Sequence, residues 1–199
     1  MQTTKGALCV LAGLMATLAN ATTFDVRLLD RGGDFSFSAY SDYWEPGINQ
    51  VGSRPPVQLD GANRSAQIYI VSEGTARPGW RFAGERFLTV HGSVQWSGSP
   101  NSTQVLRIST LIEDLDNGYT YELSSWLDQT GQHTTGPVQF IAPTTRIRWT
   151  DTIDLITGST GTLTQFVSAN HTMNMQPVPE PATGFVLFAL AVGAVRRRR

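Results

Sequence analysis

One cysteine, one lysine and three histidines in 199 residues leave little material for thiol, Schiff-base or metal chemistry. The cysteine, Cys9, lies in an apolar N-terminal run, so the remainder of the chain has neither a disulfide framework nor a thiol nucleophile. Lys5 is N-terminal too. Residues 22–180 hold ten arginines against sixteen acids, a net charge of −6. An acidic, lysine-free stretch lacks the phosphate-neutralising surface that drives nucleic-acid binding, which excludes that partner class. His91, His133 and His171 stand far apart with no second ligand at metal spacing; they read as strand or surface histidines, and no metal or cofactor is expected. A dinucleotide glycine fingerprint, a phosphate-loop lysine and a Gly-x-Ser-x-Gly elbow are all missing.

What the chain does have is two distinctive ends. Lys5 is followed by an apolar run over residues 6–18 and then by Ala19-Asn20-Ala21, the charge, apolar core and small-x-small site of a secretory signal peptide. Cleavage is expected after Ala21, with Ala19 and Ala21 as the small residues of the site. At the other end, Val178-Pro179-Glu180-Pro181 precedes an apolar stretch over 183–195 and the cluster Arg196, Arg197, Arg198 and Arg199. The two prolines hold the backbone extended and present Glu180 to a processing enzyme. The apolar stretch, counted from Ala182, is fourteen residues, about 21 Å as a helix. That is short of the ~30 Å hydrocarbon core, a deficit that snorkelling arginine stems reduce. The arginines stay cytoplasmic by the positive-inside rule, which leaves the intervening domain outside.

This ordered tail resembles the PEP-CTERM sorting signal of Gram-negative bacteria, over about the last twenty-two residues. The resemblance implies recognition of Val178, Pro179, Glu180 and Pro181 by a membrane-embedded exosortase. It also implies general secretion machinery as a partner, a transient inner-membrane anchor, and a final place at the cell surface or outside, often beside extracellular polysaccharide. Pro181-Ala182-Thr183-Gly184 overlaps a Gram-positive sortase signal, but Glu180 stands where that signal needs leucine, and a carboxylate there would have to be desolvated.

Between the ends, from Thr23 to Thr172, period-two alternation broken by Gly, Pro, Asn and Asp predicts an all-β domain. Phe24, Val26 and Leu28, then Phe35, Phe37 and Ala39 after Gly32-Gly33, read as a hairpin. Further strands are expected over 66–72, 86–96, 104–115, 119–127, 138–141, 145–156 and 162–169. Asn117-Gly118 marks the tightest turn. Residues 45–63, rich in Pro and Gly, read as a long loop or flap, and 170–177 as a polar stalk. The expected organisation is a signal peptide (1–21), one β-sandwich of the jelly-roll or immunoglobulin-like sort (22–169), the stalk (170–177), and the sorting tail (178–199) with its short apolar helix.

Chemistry within that domain is sparse. Glu113, Asp114 and Asp116 beside Asn117-Gly118 cluster oxygens as a calcium loop does, but without EF-hand spacing; a hairpin turn is the better reading. Of five tryptophans, most are expected in the core, with Trp44 and Trp80 as candidates for stacking on sugar rings. The chain therefore reads as non-enzymatic surface or matrix cargo associated with extracellular polysaccharide. The alternative is a carbohydrate-binding module or a polysaccharide-acting hydrolase, which would need two carboxylates about 5 to 9 Å apart across a cleft. Intact-mass analysis of the exported protein should place Thr22 at the mature N-terminus; retention of residues 1–21 would refute the signal peptide.

Overall fold

The computed structural model describes residues 23–42, 47–95, 104–159 and 163–178. The expected signal peptide, all of the sorting tail beyond Val178, and Trp44 and Trp96 lie outside them. Among the described residues eleven strands follow in chain order: β1 (Phe24–Gly33), β2 (Ser38–Asp42), β3 (Ile48–Leu59), β4 (Ser65–Ala76), β5 (Trp80–Val94), β6 (Val105–Asp114), β7 (Thr120–Asp128), β8 (Gly131–Thr134), β9 (Val138–Thr144), β10 (Arg146–Ile156) and β11 (Thr164–Pro177). They form two sheets, β1-β4-β10-β6-β7-β8 and β2-β3-β11-β5-β9, which pack face to face as a sandwich. Every pairing is antiparallel.

An antiparallel sheet with one wet face requires alternation, and the central strands of the first sheet supply it. Ile147, Trp149, Asp151, Ile153 and Leu155 of β10 point inward, as do Leu106, Ile108, Thr110 and Ile112 of β6 and Ala66, Ile68 and Ile70 of β4. The second sheet answers with Val51, Leu88, Val90, Phe166, Ala169 and Met173. At one end of this core Phe24, Phe82 and Trp149 form an aromatic cluster with ring centroids 5.2 to 6.3 Å apart. Gly74 of β4 makes room for it: a β carbon there would fall 2.6 Å from Cη2 of Trp149.

Three expectations need correction. The segments 24–28 and 35–39 are not a hairpin: β1 pairs with β4 in one sheet and β2 with β3 in the other, so the chain changes sheet after Gly33. The supposed flap at 45–63 contains β3, an inner strand between β2 and β11. Its prolines misled because a proline lacks the ladder donor. Here Pro55 and Pro56 fall in the stretch 53–56 that faces only Val167 of β11, between the paired segments 48–52 and 57–59, where no ladder donor to β11 is needed. Finally, 170–177 is not a stalk but the second half of β11, with His171 and Met173 buried. A histidine at an inward position hid the alternation from a reading based on apolar residues.

Strand β5 departs most from strict period two. Counting by twos from Phe82 would aim Arg86 inward and Glu85 outward. Instead, Ala83 and Arg86 are each left without a partner where β5 pairs with β11, so Phe82, Glu85 and Leu88 all face the interior. These two bulges re-aim one side chain, the usual consequence of such an insertion.

Gly74→Ala should destabilise the domain by about 1–3 kcal/mol in urea denaturation, since the methyl group overpacks the Trp149 ring. An unchanged midpoint would show that the aromatic cluster yields freely.

Candidate functional site

The bulges in β5 deliver Glu85 to the most unusual place in the molecule. Glu85 on β5 and His171 on β11 come from one sheet; Asp151 and Trp149 on β10 and Thr110 on β6 come from the other. His171 lies between the two carboxylates, with Nδ1 2.9 Å from Oε1 of Glu85 and Nε2 3.1 Å from Oδ2 of Asp151. The remaining oxygens are also used. Trp149 Nε1–H donates to Oε2 of Glu85 at 3.4 Å, and Thr110 Oγ1–H donates to Oδ1 of Asp151 at 2.6 Å. Glu85, Asp151 and His171 are each 0% exposed.

A carboxylate on each ring nitrogen calls for a proton on both, so the imidazolium is the form that fits. Burial opposes that charge, but the fields and hydrogen bonds of Asp151 and Glu85 outweigh it and raise the His171 pKa from 6.5 to about 10. Burial also pushes Glu85 above its ordinary value, against the pull of His171 and with a smaller push from Asp151. Chemically the array looks like an acid–base relay, yet with no exposure it meets no substrate. What it does is physical: the His171–Asp151 and Trp149–Glu85 bonds both cross the interior and tie one sheet to the other.

Other charges serve turns. Asp114 Oδ1 accepts from the N–H groups of Asp116 and Asn117 at 3.1 and 3.0 Å, and its Oδ2 accepts from Asn117 Nδ2 at 2.8 Å. Asp116 Oδ2 accepts from Thr144 Oγ1, Thr145 N–H and Thr145 Oγ1 at 2.7 to 2.8 Å. Although slight burial acts the other way, these donors hold the Asp116 pKa below its usual value. Glu113 sits 3.6 Å from Arg148. These oxygens are aimed at protein donors, and Gly118 takes φ 77° at the β6–β7 turn, so the hairpin reading of this cluster holds.

The remaining expected residues are dispersed. His91 is exposed on β5, while His133 stacks on Trp126 at 5.1 Å and 18° and meets Thr130 and Asp128 at the β7–β8 hairpin. Trp80, offered for sugar stacking, is half-buried opposite Pro177; Trp44 is outside the described residues. Of the sorting motif only Val178 is described, and its N–H donates to the Gly79 carbonyl at 2.8 Å. Sequence reasoning missed the Glu85–His171–Asp151 array, because its members are up to 86 residues apart. The one available signal was Asp151, standing inward by alternation between Trp149 and Ile153.

These features define an all-β, two-sheet sandwich locked by a sealed ionic array. Residues 177–199 match the model of the PEP-CTERM protein-sorting motif, and the chain thus carries that signal at its C-terminal end. The signal implies an exported protein handled by an exosortase. No curated protein matches the chain in sequence. Among solved structures, TmCBM61 in complex with beta-1,4-galactotriose aligns at a TM-score of 0.35 and 14% identity, covering 81% of this chain and 93% of that one. A likeness that slight carries no argument about function.

Removing one member of a buried charge array strands the others, so His171→Gln should cost about 3–5 kcal/mol, whereas replacing Glu85, Asp151 and His171 together by Leu, Leu and Met should cost less. A raised histidine pKa stabilises fully below pH 6.5 and loses that contribution as pH rises through about 10. The raised Glu85 acts in the same direction from its ordinary 4.5 upward. Urea midpoints of the wild type should therefore fall between pH 6.5 and 10, and those of the triple variant should stay flat; parallel profiles would remove the array from this role.

Proposed function

We propose that the protein is exported, non-enzymatic surface or matrix cargo. A signal peptide directs it to the general secretion machinery, and the short C-terminal helix and arginine cluster hold it at the inner membrane. An exosortase then processes it at Val178, Pro179, Glu180 and Pro181, leaving the sandwich at the surface of a Gram-negative cell, where it associates with extracellular polysaccharide.

The observation that carries this reading is the sorting motif over residues 177–199, whose first residue is the last of β11. The sealed array is not a hydrolytic site. A glycan hydrolase needs two carboxyl groups reachable from a cleft, and the pair held together by His171 is closed to solvent. The strand order, in which β4, β10 and β6 and likewise β3, β11 and β5 neighbour one another out of sequence, suits the crossover connections of a jelly-roll or immunoglobulin-like sandwich.

Glu180→Ala, or deletion of Arg196, Arg197, Arg198 and Arg199, should leave uncut precursor in the membrane fraction of an exosortase-bearing host. Release of mature protein at the normal rate from both variants would sink the proposal.

A further inference from the structure

Two open sheets end in four edge strands, each a row of main-chain groups on which another strand can add unless the edge is blunted. Among the described residues three of the four are blunted. β2 and β8 have five and four residues, and β9 carries Pro143. β1 differs, with ten residues and neither proline nor lysine. The groups it turns outward follow from its pairing with β4. Ala76 N–H donates to the Thr145 carbonyl, away from β1, so Phe24, the Cα partner of Ala76, belongs to a non-hydrogen-bonded pair of the β1–β4 ladder. Arg77 N–H, donating to the Thr23 carbonyl, shows the complementary parity. By alternation the N–H and C=O groups of Phe24, Val26 and Leu28 point out of the sheet edge, ahead of the bulge at Leu29. Side chains alternate over the same run. Phe24 is buried, Val26 and Leu28 are half-buried against the core, and Asp25 and Arg27 are exposed on the outer face. Asp25 is held by Arg77 at 2.6 Å, whereas Arg27 has no ion-pair partner among the described residues.

We infer that β1 is a self-association edge: a second copy of this chain adds its own β1 antiparallel, about a two-fold axis at Val26, and the two six-stranded sheets become one. Parity and charge together select this register. A two-fold centred on Asp25 or on Arg27 sets that residue against its own copy, and like charges directly opposite are destabilising. Centring on Phe24 or Leu28 carries the pairing off the start of the strand or into the bulge. With the axis at Val26, the Val26 pair and each pairing of Phe24 with the partner's Leu28 fall where main-chain groups face outward, so each exchanges both of its N–H···O bonds. Asp25 then stands opposite the partner's Arg27, and Arg27 opposite the partner's Asp25, in the closer, non-hydrogen-bonded kind of pair with Cα atoms about 4.5 Å apart. The inner faces of the joined sheets lie on the same side, so the half-buried Val26 and Leu28 of each copy are covered by those of the other. The edge is complementary to itself in hydrogen bonding, in charge and in apolar contact, which is what an isologous interface requires.

Sedimentation velocity on the full-length chain in non-ionic detergent, across a concentration series, tests this. The wild type should pass from monomer to dimer. Arg27→Asp leaves two acids on the edge and Asp25→Arg leaves two arginines, so each variant alone should associate about ten-fold more weakly, two cross-strand charge pairs being reversed at once. An equal mixture of the two should recover the wild-type affinity, because every pair across the axis is again unlike. A monomer at every concentration, the result if a strand of another protein or a segment of this chain outside the described residues covers β1, overturns the inference. So does association that persists unchanged in both single variants, which then arises elsewhere in the chain. A second measurement decides the matter should Asp25→Arg, which also loses its contact with Arg77, fail to fold. In a Cys9→Ala background, where an added cysteine has no other in the chain to meet, Val26→Cys puts two thiols across the axis at a Cα spacing of about 5.5 Å, within disulfide range. Leu28→Cys, opposite the partner's Phe24, lies beyond disulfide reach of the partner's Leu28. Mild oxidation should cross-link the first variant and not the second; cross-linking of Leu28→Cys alone, or of neither, overturns the inference.

Discussion

A charged imidazole sealed between two carboxylates is the constraint on which the sandwich turns. Apolar packing accepts many arrangements of similar energy, because Leu88, Ile108 or Ile153 loses little by moving to a neighbouring apolar site. Glu85, His171 and Asp151 have no such latitude. Each has its polar atoms matched by a specific partner, and any other register of β5 or β11 leaves a charge buried without one, at several kilocalories per mole. The array adds modestly to net stability but selects strongly among sheet alignments. It also explains the two bulges in β5: regular alternation would bury Arg86 in place of Glu85 and put a cation beside His171.

Within the core the array and the aromatic cluster share a member. Trp149 lies 5.6 Å from the His171 ring, donates to Glu85, and packs against Phe24 and Phe82. Its position depends in turn on the missing side chain of Gly74. Polar satisfaction and apolar filling are therefore not separate layers of this interior, and a change on either side is felt by the other.

The legible parts of the sequence were those where alternation runs unbroken. Strands β4, β6 and β10, with Ile68, Ile108 and Ile153 among their inward residues, could be read directly, as could the turn at Asn117-Gly118. Reading failed where a local signal was overridden from a distance. Pro55 and Pro56 announce a loop, yet β11 tolerates them because it needs no ladder donor there. Gly32-Gly33 announces a hairpin, yet Ile68 and Gln67 of β4 take the place of the expected partner. The ionic array was out of reach because its members meet only across the sandwich. The tail, by contrast, is a linear signal, written in consecutive residues and recognisable without any fold.

Strand β11 follows every other described strand and yet lies at the centre of its sheet, with β3 on one side and β5 on the other. A chain synthesised from its N-terminal end therefore presents the pieces β2-β3 and β5-β9 before anything can join them. The half-made interior holds Glu85 and Asp151 without their counter-charge until His171 arrives. Closure therefore waits for the arrival of β11, and a partial chain of this topology can complete neither its second sheet nor its ionic array.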